Sequence, residues 1–233
     1  MQQPPHTGLV KTASEKITAN TQQVAKLKKL VSQGESQTLE FKRKAAYPEK
    51  IVREMIAFAN TNGGTLLLGV SDDRTIPGLK FPEEDSFVIK KMISSCCRPG
   101  IPFSEALIQV ASNRFVIRYD IRSGPKKPYI LRFSGRKESF IRVGDKTIKT
   151  SPEMREILKK RSSKRDNWFT YGEHEQLLFA YLVINPFITV KEFSIITGLN
   201  RFKASRKLVR LVLANVLKIT PTQRGDQFSL ISC

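Results

Sequence analysis

Residues 35–42 read ESQTLEFK and place two glutamates and a lysine within reach of common chemistry. Glu35 and Glu40 stand five apart, and Lys42 follows the second at i+2. Five residues is an odd step along a strand and about 140° around a helix, so the pair shares no face of one regular element. The carboxylates converge only if the chain turns between them. If it does, they meet an ammonium, and the outcome is either a salt-bridged surface or a site.

The elements that must position these groups follow from the apolar pattern. Val24, Leu27, Leu30 and Val31 repeat at helical spacing within 21–33, and Gly34 is placed to end that helix. Leu39 and Phe41 then share one face of a short strand, with Glu40 and Lys42 on the other. Pro48 suits the first turn of a helix whose stripe is Ile51, Val52, Met55, Ile56 and Ala59. Asn62, Gly63 and Gly64 tolerate positive φ and predict a tight reversal. Leu66 to Val70 is nearly all apolar, as in a central strand covered on both faces. The next helix, within 83–97, carries acidic residues in its first turn and a stripe of Val88, Ile89, Met92 and Ile93. Alternating segments 106–112 and 114–122 form a hairpin at Asn113, and strands at 129–133 and 139–148 follow a basic loop. The mixture predicts an α+β fold rather than a doubly wound sheet.

Charge is the strongest global feature. Forty Lys and Arg against 21 Asp and Glu give a formal +19 and a pI near 10.1. Such an excess repels itself in a compact chain and points to a polyanionic partner, with nucleic acid favoured over membrane. Nothing approaches a membrane span, and the polar N-terminus lacks the apolar stretch of a secretory signal. A cytoplasmic protein is expected, or a nuclear one in a eukaryote. Cys96, Cys97 and Cys233 with His6 and His174 offer no zinc-site spacing. The adjacent cysteines read as small hydrophobes at the end of a helix face.

Near 156–168 the chain turns polar and basic, as a helix tail running into a linker would. The expected division is a flexible N-terminus 1–20, a first domain 21–158, a basic linker 159–168 and a second domain 169–233. The last segment reads as three helices, the second capped at Thr189 and ended by Gly198, the third running from Arg201 to about Leu217. Two short strands around an Arg-Gly-Asp turn complete the plan of a small winged helix-turn-helix domain. Lys203, Arg206, Lys207 and Arg210 line one side of the third helix, and Leu208, Leu211, Val212 and Val216 the other. That basic face fits major-groove insertion, with Arg201, Lys203 or Arg206 toward base edges and Arg224 at the wing tip. The competing reading is a solvated face on a protein-interaction module.

Taken in order, GESQTLEFK, AFANTNGGTLLLGVSDD, IPGL and SFIRVGDKT resemble the Schlafen-type AlbA domain family over about residues 24–155. The resemblance implies a mixed sheet with helices that binds DNA and/or RNA. In nuclease members an acidic trio comprises the two motif glutamates and an aspartate after the Gly-Gly strand; here the matching residues are Glu35, Glu40 and Asp72. Asp73 competes for the third place, and Lys42 matches the motif lysine. Three converging carboxylates would call for Mg²⁺ or Mn²⁺, which could activate a water while Lys42 binds a phosphate oxygen. The alternative is an acid–base network that positions Lys42 without metal. ATP is disfavoured, because no G-x4-G-K-[ST] motif is present. Lys126, Lys127 and Arg142, with Arg43, Lys44 and Arg122, are candidate nucleic-acid contacts of the first domain. The leading expectation is a DNA-binding transcriptional regulator; the alternative is a metal-dependent endoribonuclease. A homodimer on paired half-sites is compatible with the winged-helix plan.

Overall fold

The computed structural model describes residues 13–161 and 171–231. The expected flexible N-terminus up to residue 12, most of the expected linker, and Cys233 lie outside the described residues. Helix α1 (Ala13–Ser32) begins before the apolar spacing becomes visible and ends at Gly34, whose φ of 76° suits a residue without a Cβ. The chain continues through β1 (Leu39–Lys42), α2 (Pro48–Asn60), β2 (Gly64–Leu68), α3 (Pro82–Cys96) and β3 (Cys97–Arg98). Strands β4 (Phe103–Ala111), β5 (Arg114–Ile121), β6 (Ile130–Phe133), β7 (Arg136–Glu138), β8 (Phe140–Val143) and β9 (Lys146–Lys149) follow. Helices α4 (Pro152–Arg161), α5 (Glu173–Ile184), α6 (Val190–Thr197) and α7 (Arg201–Leu213) lead to the hairpin β10 (Leu217–Thr220) and β11 (Gln227–Leu230).

The main sheet has the order β1-β2-β5-β4, with β1 and β2 parallel and the remaining pairs antiparallel. The fold is α+β. Strand β2 shows why its sequence is continuously apolar. Leu67 joins Leu39 and Phe41 in a core under α1, whereas Leu66 and Leu68 face the opposite core under α2 and α3. Not all of the expected stripe of α3 is covered: Ile89 and Ile93 are buried, but Val88 is 44 % exposed.

Two small sheets, β3-β6-β7 and β8-β9, close the α2 side. Asn60 ties them to the helix. Its amide donates to the carbonyls of Tyr129 and Phe140 at 3.1 and 2.9 Å, and its carbonyl accepts the Tyr129 N–H at 2.7 Å. Beyond it, the Gly63-Gly64 pair is fixed by close approach. A Cβ on Gly64 would collide with the Phe58 ring, and one on Gly63 would lie 2.7 Å from the Ile121 carbonyl oxygen.

The second core contains Leu178, Phe193, Leu208, Val212 and Phe228, and also Ile157 of α4. Helix α4 therefore packs with α7, and the expected boundary at 158 falls inside a helix belonging to the C-terminal unit. Caps behave as their residue types predict. Thr189 accepts from Glu192 N–H, Asn200 from Lys203 N–H, and Gly198 ends α6 in the left-handed region. Helix α7 stops at Leu213, short of the expected Leu217, which lies in β10. No described helix is long and apolar enough to cross a membrane.

Where the hairpin turn meets α4, Ser151 Oγ donates to Asp226. Burial lifts the Asp226 carboxyl above its ordinary 3.8, opposed by the Ser151 hydrogen bond and assisted by the charge of Glu153. Because the folded chain holds this proton more tightly than the unfolded chain, ionising it costs stability. The cost is absent below pH 3.8 and complete once the pH exceeds the raised value. Asp226→Asn is therefore expected to melt progressively higher relative to the parent as pH rises from 4 to 7. Parallel melting curves across that range would mean that Asp226 ionises freely.

Candidate functional site

Strand β1 sets the first part of the site. Because Leu39 and Phe41 point into the core under α1, the period of two turns Glu40 toward α2 and β8. Glu40 is 5 % exposed, and a carboxylate so buried requires partners. It pairs with Lys42 through one oxygen and accepts from Arg142 Nη1 through the other at 2.8 Å. The same Nη1 reaches Glu54 at 2.9 Å and Thr147 Oγ1 at 3.2 Å, while Nη2 donates to the Ser36 carbonyl at 2.6 Å. The guanidinium carbon lies 4.9 Å from the centroid of the Phe58 ring.

The chain does turn between the two glutamates. An isolated bridge joins Ser36 to Leu39, and Glu35 Oε1 accepts the Phe41 N–H at 2.9 Å. Burial raises the Glu35 carboxyl, the Phe41 hydrogen bond opposes this, and the charges of Glu40, Lys42 and Asp72 act on it as well. Glu35, Glu40, Lys42 and Asp72 thus share one electrostatic neighbourhood. Burial also raises Glu54, with the like charge of Glu40 second, opposed by the Thr147 hydrogen bond and the charges of Lys42 and Arg142. Asp73 is a turn residue: it accepts from the Thr75 N–H at 2.9 Å and Oγ1 at 2.6 Å, which lower its pKa.

As arranged, the trio does not fit a divalent ion. Both Glu40 oxygens are engaged by cations, and one Glu35 oxygen accepts a backbone N–H. Among the described residues, no three His, Cys, Asp or Glu side chains are grouped to hold a metal.

The basic candidates divide by exposure. Arg142 is corrected: at 3 % exposure and locked between two carboxylates, it cannot reach an external phosphate. Lys127 is half-buried and donates to the Thr61 carbonyl at 2.7 Å, and burial lowers its pKa; Lys126 is exposed. On α7, Arg201, Lys203, Arg206 and Arg210 are exposed. Lys207 is instead turned to α5, where it donates to the buried Glu175 at 2.6 Å. Arg201, Arg206 and Arg224 converge with Lys191 on a cleft of about 750 Å³, opposite Glu153 and Glu156 of α4. Sequence reasoning missed Glu54, Thr147, Glu175 and Lys191. Their roles arise from contacts between distant segments, and no local spacing announces them.

A mixed sheet with an ion-paired edge strand defines an α+β domain, to which a helical unit and a hairpin are appended. The chain belongs to the Schlafen AlbA_2 family, whose model matches residues 35–151. That family suggests a nucleic-acid-binding role. Two solved structures are similar. One is the solution NMR structure of the N-terminal domain of a RecG-related protein from Nitrosomonas europaea, at 21 % identity and TM-score 0.40, covering 53 % of this chain and 89 % of that one. The other is the crystal structure of the DIP2311 protein from Corynebacterium diphtheriae, at 15 % identity and TM-score 0.43, covering 87 % of this chain. This chain spans 47 % of the length of that protein. No curated protein matches the chain.

Proposed function

We propose that the chain binds duplex DNA through α7 and acts as a transcriptional regulator. The observation that carries this reading is the exposed face of Lys203, Arg206 and Arg210, flanked by Arg201 and the turn residue Arg224. Helix α6, the turn at Gly198, helix α7 and the β10–β11 hairpin follow the order of a winged helix, in which the last helix enters the major groove. The formal charge of +19 supports the same partner. Titration of labelled duplexes at several salt concentrations tests it. Three to five phosphate contacts predict a log–log slope of about −3 to −4.5. Affinity indifferent to salt, or equal for every duplex sequence, would remove the regulator reading.

A metal-dependent endoribonuclease is the second reading, favoured by the charges of Glu40 and Asp72 both acting on Glu35. With both Glu40 oxygens engaged by cations, the binding reading expects structured RNA to stay intact in Mn²⁺ and in EDTA alike. Cleavage that needs Mn²⁺ and vanishes in Asp72→Ala would reverse the order of the two readings. Asp72 is exposed, so this variant is expected to fold as the parent does.

A further inference from the structure

A second cleft, of about 630 Å³, opens in the first domain where β1 and β2 end. Four cations line it: Arg43 and Lys44 after β1, Lys80 before α3, and Arg114 at the start of β5. Among the described residues none of the four enters an ion pair or a side-chain hydrogen bond, although the charge of Arg43 acts on Asp73; Lys42 and Arg142, by contrast, are ion-paired. Glu84 and Asp85 also line the cleft. Burial, with the charge of Glu84 second, raises the Asp85 carboxyl.

Phe81, also in the lining, is 63 % exposed. It occupies the N-cap of α3 yet makes no side-chain cap, at a position where Ser, Thr, Asp or Asn is preferred. A largely exposed ring that makes no cap, beside cations outside any ion pair, has the properties of a stacking platform. Tyr47 differs: it follows the lining stretch 43–46 at the N-cap of α2 and is 61 % exposed, but its ring already carries the Lys50 ammonium, 4.6 Å from the centroid.

We propose that this cleft binds single-stranded nucleic acid, with a base stacked on Phe81 and backbone phosphates on Arg43, Lys44, Lys80 and Arg114. Exposed aromatics interleaved with free cations are what single strands require, because every base has a stacking face and every linkage a charge. A duplex keeps its bases stacked internally and gains nothing from Phe81. The inference goes beyond the α7 reading and does not depend on it.

The test is fluorescence anisotropy on the full chain with labelled oligodeoxythymidine, oligouridine and a blunt duplex hairpin. Phe81→Ala and, separately, Lys80→Glu with Arg114→Glu are each expected to weaken the single strands about tenfold. Duplex affinity should change by less than about threefold, because the α7 cations are untouched. Melting temperature checks folding, and exposed Phe81 provides a variant with little structural burden. Comparison of the two single strands shows whether DNA or RNA is preferred; either preference supports the groove. Unchanged single-strand affinity in both variants would overturn it. So would displacement of the strands by equimolar ATP, which would make the cleft a mononucleotide pocket. Should the α7 reading fail, duplex affinity would survive charge reversal there, an outcome separate from these.

Discussion

Replacing Arg142 with alanine is expected to destabilise the chain by about 3–5 kcal/mol, the usual consequence of removing one partner from a buried charge cluster. The side chain of Arg142 is 1 % exposed, and its guanidinium joins Glu40 of the sheet edge to Glu54 of α2. It also holds the Ser36 carbonyl of the turn that brings Glu35 to the site. Without it, buried Glu40 keeps only Lys42, half-buried Glu54 keeps only Thr147, and the Ser36 carbonyl loses the guanidinium. Domains are typically stable by about 5–15 kcal/mol, so the variant is expected to approach the unfolding threshold. Urea denaturation of Arg142→Ala, and of the same chain carrying Glu40→Gln and Glu54→Gln, provides the check. Neutralising the stranded carboxylates should restore part of the loss. A cost below about 1 kcal/mol would place the cluster in the range of solvated surface ion pairs.

Charge reversal on α7 should produce the largest loss of binding. Lys203→Glu, Arg206→Glu and Arg210→Glu together remove three phosphate partners and place three anions against the duplex. Affinity for duplex DNA is expected to fall by at least about a hundredfold near 0.1 M salt, and the salt dependence to flatten by about 2.7 in log–log slope. Stability should change little, since all three side chains are exposed. Lys207→Glu belongs in a separate variant. It would oppose Glu175 in the second core and destabilise the fold, confusing loss of grip with loss of structure. Retained affinity in the triple variant would move the duplex-binding face away from α7.

Much of the first domain was legible because its signals are local. The period of two in LEFK assigned Leu39 and Phe41 to one core and Glu40 to the opposite face, and the apolar run in β2 implied cover on both sides. In the second unit, Thr189 and Gly198 announced the two ends of α6 and Asn200 the start of α7, whereas the end of α7 was expected too late. Features without local signatures were lost. Arg142 looked like a solvent-facing cation, yet its partner Glu54 lies 88 residues away. Lys207 satisfied the periodicity of a basic face, but a single buried glutamate on α5 captured it. The stripe of α3 suggested equal burial for Val88 and Ile89, whereas α3 covers the sheet along Ile89 and Ile93. At the Glu35–Glu40 edge, the sequence offered two arrangements, metal-bound or ion-paired. The ion pair that Glu40 makes with an arginine from β8 belongs to no local motif, and no spacing could supply it.

Helix α4 has a consequence for how the chain can be divided. Only Thr150 and Ser151 separate β9 from α4, while α4 contributes Ile157 to the second core and Glu153 bonds to Ser205 of α7 at 2.6 Å. The seam between the two units therefore lies at 150–151 and not in the basic stretch beyond 161. A protease cutting in that stretch would sever the chain without releasing its parts. The C-terminal unit would remain gripped by a helix still covalently attached to the sheet domain. Transplanted to another protein, this unit would have to carry α4 with it.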